Sequence, residues 1–480
     1  MTIKFGTDGW RGIIADDFTF DNVRACAQGT SNYLLQKGLG KYGLVVGYDT
    51  RFGSAAFARS VAEVAAGNGL TTYLSVAPAP TPVMSYNIVA RKAGGAAIIT
   101  ASHNPSEWNG FKYKPEYAGS ASPEIVASLE KYINAVHSVN DVTAIPWHDA
   151  LASGVGQHID PQMPYMEHLA NLVDLPKLSN AGLKLTVDAM YGAGAGYIPA
   201  LVGGSKTKIQ EIHGDPNPLF PGMSQPEPVA SNLTMLTETV LANKSDAGLA
   251  LDGDADRFGL IDEHGTFITP LQVFAILALY MLETKGERGP LVKSITATSM
   301  IYKLGKQFNV PVYETPVGFK YIGPIMQKHN ALIGGEESGG FGFRGHIPER
   351  DGILTGLFLM DMMITTGKRP SELLDHLFEI VGPHYYLRHD ITFDTNNRIS
   401  MQNRLRDAKA SSINGRKVIS QGLIEEENQI AGSRFVLEDN SWVILRFSGT
   451  EPLLRIYSEG ENPEKVSALI EAARALLGVE

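Results

Sequence analysis

Gly95-Ala-Ala-Ile-Ile-Thr-Ala-Ser102-His103-Asn104-Pro105 is the stretch on which the reading of this chain turns. The small and β-branched apolar residues of Gly95–Ile99 suit a strand buried on both faces, and the polar run behind them, closed by a proline, suits the turn that ends it. Ser102 therefore stands at the end of a strand with the His103 imidazole beside it, on a loop stiffened by Pro105. A serine presented in this way can be a nucleophile, although most Ser- and Pro-rich turns are only turns. Two later segments share the design. Ala247-Gly-Leu-Ala-Leu-Asp-Gly-Asp254 and Ala331-Leu-Ile-Gly-Gly-Glu-Glu-Ser338 also run from a small apolar strand into a polar loop. Three similar α/β units, each offering one loop at the carboxyl end of a strand, account for this echo, and that edge is where open α/β sheets bind ligands.

Around these segments, apolar runs of strand length alternate with helical patterns, the signature of α/β units with largely parallel sheets. Leu44–Tyr48 and Thr71–Ser75 read as strands flanking a helix over about Ser54–Asn68, whose apolar face carries Phe57, Val61, Val64 and Ala65. Residues 120–123 and the loose run 150–163 read as surface and linker. Leu183–Val187, Ala247–Leu251 and Ser294–Ser299 read as further strands, and 271–283 as a buried helix. Composition shifts near Gly382-Pro383, beyond which strands and two helices suggest an α+β domain. The expected boundaries are 1–160, 161–264, 265–380 and 381–480.

Composition sets outer limits. At 480 residues the chain is too long for one core, and 44% apolar residues with 50 glycines and 26 prolines describe an ordered, loop-rich protein. A net charge of −10, spread along the chain, argues against nucleic acid as a main partner. Cys26 is the only cysteine, which excludes an intrachain disulfide and a thiolate metal site and fits a reducing cytoplasm. The longest apolar run, Val273–Leu282, is short of the roughly 20 residues of a membrane span.

The loops hold the chemistry. Asp252, Asp254 and Asp256 alternate just past a strand, so three carboxylates can converge on one point, and a hard divalent cation such as Mg²⁺ removes their repulsion. A calcium loop is the rival, with Glu263 at its twelfth position, but Arg257 stands where that loop needs glycine. Gly335-Glu-Glu-Ser338-Gly-Gly340 fits no nucleotide fingerprint, and its carboxylates and hydroxyl suit sugar hydroxyls better than phosphate. Arg446-Phe-Ser448-Gly449-Thr450-Glu-Pro452, with Arg455 beyond, supplies the donors that grip a phosphate dianion, or an arginine-capped turn. Arg11 lies in the Gly-rich turn Gly6–Gly12, and Lys112 follows the serine loop. A buried lysine near a metal and an arginine can have a lowered pKa and act as general acid or base.

Taken together, Gly6–Gly12, Thr100–Pro105, Asp252–Arg257, Gly335–Ser338 and Arg446–Pro452 resemble, in order and across almost the whole chain, the α-D-phosphohexomutase superfamily. The resemblance implies three related α/β domains with mixed sheets and a C-terminal α+β helix-grip (TATA-binding-protein-like) domain around a central cleft. It implies an isomerase that moves phosphate between C1 and C6 of a hexose through a phosphoserine and a sugar bisphosphate, with glucose 1,6-bisphosphate as activator and intermediate. Carried over by position, Ser102 would carry the phosphoryl group and, with Asp252, Asp254 and Asp256, hold one Mg²⁺. Arg11 and Arg257 would steady that group, while Lys112 and His103 would serve as acid and base. Gly318, Glu336, Ser338 and Arg350 would bind sugar; Arg446, Ser448, Gly449, Thr450 and Arg455 would hold the phosphate that is not reacting. Glu314–Lys320 and Gly335–Ser338 resemble the phosphoglucomutase branch, and the phosphomannomutase/phosphoglucomutase and phosphoglucosamine mutase branches typically have histidine where this chain has Gly340. Arg350 stands where phosphoglucomutases often place a lysine that helps read sugar orientation. The expected activity is thus a phosphoglucomutase, with phosphomannomutase or phosphoglucosamine mutase, a metal-dependent phosphatase and a non-catalytic sugar-phosphate scaffold as alternatives. Hexose phosphates are the expected partners, with no nucleic acid or membrane, for a monomer or dimer in the cytoplasm.

Overall fold

A computed structural model describes residues 2–408, 410–426, 429–448 and 453–477. It divides into two compact units, one of residues 1–294 and 310–373, the other of 295–309 and 374–480.

The first unit contains three mixed sheets. The first is built from β1 (Trp10–Ile13), β2 (Leu44–Tyr48), β3 (Thr72–Ser75), β4 (Gly95–Ile99), β5 (Trp108–Pro115) and β6 (Gly156–Ile159), in the order β1-β5-β4-β2-β3-β6. Every residue of β2 and β4 is buried, as the unbroken apolar runs require of strands covered on both faces. The second sheet has β7 (Lys184–Asp188), β8 (Lys208–Ile212), β9 (Ala247–Leu251), β10 (Phe258–Ile261) and β11 (Phe267–Ile268), ordered β11-β10-β9-β7-β8. The third has β12 (Leu291–Ser294), β13 (Val312–Thr315), β14 (Ile333–Gly335) and β15 (Phe341–Phe343), ordered β13-β12-β14-β15.

One pattern underlies all three. The runs β3-β2-β4-β5, β8-β7-β9-β10 and β13-β12-β14-β15 each join two parallel pairs to a closing antiparallel pair. In each, the loop between the last two strands is one of the polar loops singled out in the sequence: 100–107, 252–257 and 336–340. The short sequence echo is a repeated topology.

Three sequence readings need correction. The strand read at Ser294–Ser299 lies earlier, at Leu291–Ser294, directly after Pro290, while Thr298 bonds the amide of Met300 at the start of the helix Met300–Gln307. Proline is tolerated at a strand's first position, so it marks the beginning that the polar residues beyond had obscured. The run 150–163 is not a linker, because it contains β6, paired in parallel with β3 from Thr72↔Gly156 to Ser75↔Ile159. The exposed Gln157 and His158 give this edge strand its polar composition. Residues 120–123 are only partly surface: Ser122 caps the helix Pro123–Ile133, but Ser120 is buried against Glu349. The helix read at 271–283 is present as Pro270–Leu279, started by a Thr269/Gln272 capping box and continued by one π turn over Tyr280–Thr284.

The second unit contains an antiparallel sheet of β16 (Tyr385–Thr392), β17 (Ser412–Ile413), β18 (Arg416–Glu426), β19 (Gln429–Leu437), β20 (Trp442–Phe447) and β21 (Leu453–Gly460), ordered β16-β21-β20-β19-β18-β17. Alternation along β20 divides its core: Val443, Leu445 and Phe447 pack with Leu405 and Leu469 of the helices Arg398–Asp407 and Pro463–Leu477, while Trp442 and Ile444 face Ile424 and Tyr457. These are the strands and two helices expected of the C-terminal domain.

The helix Phe20–Gln36 crosses Pro123–Ile133 at Gly29, where a Cβ would lie 2.6 Å from both N and Cα of Ile133. Gly29→Ala should therefore lower stability by about 1–3 kcal/mol, the usual result of overpacking. Urea denaturation followed by tryptophan fluorescence checks this, since Trp10 and Trp147 belong to the same core.

Candidate active site

Each of the three equivalent loops delivers its groups to one region of the first unit. Ser102 follows β4 and adopts a left-handed backbone (φ 54°), with its amide held by the Thr100 hydroxyl at 2.8 Å. Its Oγ donates to Asp252 Oδ2 at 3.0 Å and lies 3.3 Å from His103 Nδ1. The serine and aspartate loops touch along their backbones, where a Cβ on Gly253 would stand 2.5 Å from the Ser102 carbonyl oxygen. Only glycine allows that approach.

Asp252, Asp254 and Asp256 are buried, and each offers a ligand oxygen within 4.8 Å of the others. Their remaining oxygens are anchored. Asp252 accepts from the Ser102 hydroxyl and from the Arg257 amide at 3.0 Å each. Asp254 Oδ2 accepts from Thr81 at 2.5 Å and Lys112 at 2.7 Å, and Asp256 Oδ2 lies 2.6 Å from Arg350. Asp254 Oδ1 and Asp256 Oδ1 are buried without a hydrogen-bond partner. Oxygens left bare between fixed carboxylates are what a hard divalent cation requires, so the donor set fits one. Burial, with Asp256 and Asp254 as neighbours, holds Asp252 well above the usual carboxylate range, the repulsion a cation would relieve. The calcium-loop alternative does not hold: Glu263 bonds the Ser371 hydroxyl, and β10 begins directly after Arg257.

Cations also crowd the residues that follow Ser102. Arg11 donates to the Asn104 side chain, and Arg257 bonds Glu227 at 2.6 Å and approaches His103 Nε2 at 3.5 Å. Burial and the nearness of Arg257 press Arg11 below its ordinary range. Burial, then Arg257, Arg11, Arg51 and Lys112, hold the His103 imidazole far below the usual histidine range. A group of like charges around a hydroxyl is a place for an anion.

Lys112 reverses one expectation. Burial does push its ammonium down, but Asp254, Asp8 and Asp256 outweigh that and hold it above the ordinary lysine range. The sequence had suggested a lowered value because it did not reveal how many carboxylates surround the residue.

Glu336 accepts from the Gly318 amide at 3.0 Å, which brings two of the expected sugar residues together, and Ser338 shares the loop. Arg350 sits among four carboxylates: Asp256 at 2.6 Å, Asp8 at 3.0 Å, and Glu336 and Glu349 at 3.5 Å each. It thereby ties the aspartate loop to the glutamate loop. Room for it comes from Gly340, where a Cβ would stand 2.2 Å from Arg350 Cδ.

In the second unit, Arg446 and Arg455 are directly opposed on β20 and β21. Ser448 closes the hairpin through its amide to the Leu453 carbonyl, 2.8 Å. Gly449 and Thr450 lie outside the described residues.

Sequence reasoning missed Asp8, Thr81, Lys114, Glu227 and Glu349. Asp8 joins Lys112, Lys114 and Arg350, and Lys114 also bonds Glu349 at 2.6 Å. Asp8 was visible, three residues before Arg11 in the same turn. A carboxylate within the Pro-rich run Gln225–Pro228 was the available hint of Glu227.

Comparison with known proteins agrees with the fold. Models of the phosphoglucomutase/phosphomannomutase family match throughout: α/β/α domain I at 2–140, domain II at 163–265, domain III at 269–381 and the C-terminal domain at 402–476. A phosphoglucomutase/phosphomannomutase of Thermococcus kodakarensis is 30% identical over 98% of both chains. A probable phosphoglucosamine mutase of Methanobrevibacter smithii is 29% identical over the same shares. Among solved structures, a protein of Thermus thermophilus assigned as a phosphomannomutase superposes with a TM-score of 0.85 at 34% identity, covering 100% of this chain and 99% of its own. What the fold and site define is an isomerase acting on hexose phosphates. The chain belongs to the phosphoglucomutase/phosphomannomutase family.

If the bare aspartate oxygens take a divalent cation, Mg²⁺ should raise the melting temperature saturably, with about 2.7 kcal/mol of stabilisation at a hundred times Kd. Scanning calorimetry with and without Mg²⁺ checks this, and Asp256→Asn should abolish most of the shift.

Proposed function

We propose that the protein is a phosphoglucomutase that interconverts glucose 1-phosphate and glucose 6-phosphate through a phosphoserine at Ser102 and glucose 1,6-bisphosphate. One observation carries this reading: the Ser102 hydroxyl donates to Asp252 of the carboxylate cluster at 3.0 Å and lies 3.3 Å from His103, which Arg257 approaches at 3.5 Å, so carboxylates that call for a cation and a guanidinium that calls for an anion meet at one oxygen. A phosphoryl group on that oxygen meets both demands.

In this reading Asp252, Asp254 and Asp256, with a phosphoserine oxygen, would hold one Mg²⁺, which would supply charge neutralisation at the transferring phosphoryl group. Arg11 and Arg257 steady that group. A sugar hydroxyl attacks the phosphorus and its proton passes to a base, while the P–O bond to Ser102 breaks and the serine oxygen takes up a proton, leaving a free hydroxyl and a bisphosphorylated sugar. After the sugar turns end for end, the Ser102 hydroxyl gives its proton to a base as it takes the other phosphoryl group, and the departing sugar oxygen is protonated. Lys112 and His103 are the acid and base candidates at that point. Positioning and charge account for most of such catalysis.

Glu336 and Ser338 are assigned to the sugar hydroxyls and Gly318 to shaping their loop. Arg350 is assigned to reading sugar orientation through Glu336, which it meets at 3.5 Å. Arg446, Ser448, Gly449, Thr450 and Arg455 are assigned to the phosphate that is not reacting. The domains are drawn at 1–160, 161–264, 265–380 and 381–480, and the enzyme acts in the cytoplasm as a monomer or dimer. Glucose is favoured over mannose and glucosamine because Glu314–Lys320 and Gly335–Ser338 resemble the phosphoglucomutase branch and Gly340 stands where the other branches typically have histidine.

A coupled assay with Mg²⁺ and a trace of glucose 1,6-bisphosphate tests this across glucose, mannose and glucosamine 1-phosphates. The highest kcat/KM should fall on glucose 1-phosphate, with no turnover by Ser102→Ala. A preference for mannose or glucosamine phosphate would overturn the substrate, and full activity of Ser102→Ala the mechanism.

A further inference from the structure

Arg51 lies outside the groups assigned above, yet no side chain is more closely engaged with the serine loop. Its Nη1 donates to the carbonyls of Pro105 at 2.7 Å and Trp108 at 3.0 Å, and its Nη2 to those of Ser102 at 2.6 Å and Asn104 at 2.5 Å. All four terminal N–H donors of one guanidinium are thus spent on one loop. The head is itself fixed. Its Nε lies 3.2 Å from Asp49 Oδ2, and Asp49 Oδ1 accepts from the Arg51 amide at 3.0 Å and from Ser54 at 2.7 Å. The Arg51 side chain is fully buried, and the Phe220 ring covers the guanidinium at 5.0 Å. Charge-assisted bonds shielded from water in this way are strong and geometrically exacting.

The loop needs such a clamp. Ser102 is held at φ 54°, a left-handed conformation that a residue with a Cβ keeps only when its surroundings enforce it. That conformation aims Oγ at Asp252. We propose that Arg51 is a positioning residue for phosphoryl transfer: through four carbonyls it locks the Ser102 backbone so that the oxygen keeps its aim whether or not it carries phosphate. Lysine at this place would keep the charge but not the planar fork. The inference rests on the phosphoserine reading.

The test is single-turnover transfer. Enzyme labelled with ³²P from glucose 1,6-bisphosphate is chased with unlabelled glucose 6-phosphate, and loss of label is followed by rapid quench for wild type, Arg51→Lys and Arg51→Gln. Both variants should transfer about a hundredfold more slowly per labelled molecule, the effect of a displacement near 1 Å, with sugar KM and the Mg²⁺ midpoint unchanged. Wild-type transfer by labelled Arg51→Lys would overturn the inference and leave Arg51 a structural residue only, as would a loss matched by an equal rise in KM. If neither variant folds, Asp49→Asn, which untethers the guanidinium but leaves it in place, takes over the comparison: slower transfer at constant KM supports the clamp, and wild-type transfer overturns it. Ser102→Ala separates the two claims. Label and turnover in that variant would defeat the phosphoserine reading itself, whereas an inert Ser102→Ala beside a fast Arg51→Lys defeats only the clamp.

Discussion

Asp252, Asp254 and Asp256 are buried within reach of a single point, and buried carboxylates keep such company only when cations meet them. Much of the first unit answers to that constraint. Lys112 lies on Asp254, Arg350 on Asp256, and the Arg257 guanidinium 4.0 Å from Asp252; Asp8, Glu227, Glu336 and Glu349 in turn balance those cations. Asp252 uses both oxygens, whereas pairing on one oxygen each of Asp254 and Asp256 leaves their other oxygens bare. Removing one cation from such a lattice strands a buried anion, so these residues stand or fall together.

The repeated topology explains how so many charges reach one place. Each of the three sheets ends its parallel run in a strand of small apolar residues and returns through an antiparallel neighbour, and the intervening loop carries the polar groups. A hydroxyl comes from the first, carboxylates from the second and a glutamate from the third. The sheets differ in what their loops say rather than in how they are built. Arg51 follows the same economy, since it belongs to the turn after β2, at the carboxyl edge where β4 also ends.

Much of this was legible in the sequence. The buried strands Leu44–Tyr48 and Gly95–Ile99, the serine loop and the aspartate triad could be read because composition and spacing carry them within a few residues. The edge strand Gly156–Ile159 could not, because half its residues face water and its pairing with β3 is a long-range event. The raised Lys112 and most of the carboxylate shell of Arg350 escaped for a related reason: their partners Asp8, Asp254 and Asp256 are far away in the chain. Arg51 stood in plain view within Asp49-Thr-Arg51, but its four partners are backbone carbonyls, which leave no mark on a sequence.

The central claim is that Ser102 is the oxygen that carries the phosphoryl group. Incubating the protein with Mg²⁺ and glucose 1,6-bisphosphate, then mapping phosphate by tandem mass spectrometry of its peptides, tests it most directly. The account predicts one phosphate, on Ser102, lost on chasing with excess glucose 6-phosphate. Phosphate on another residue, or turnover without any phosphorylated protein, would contradict it.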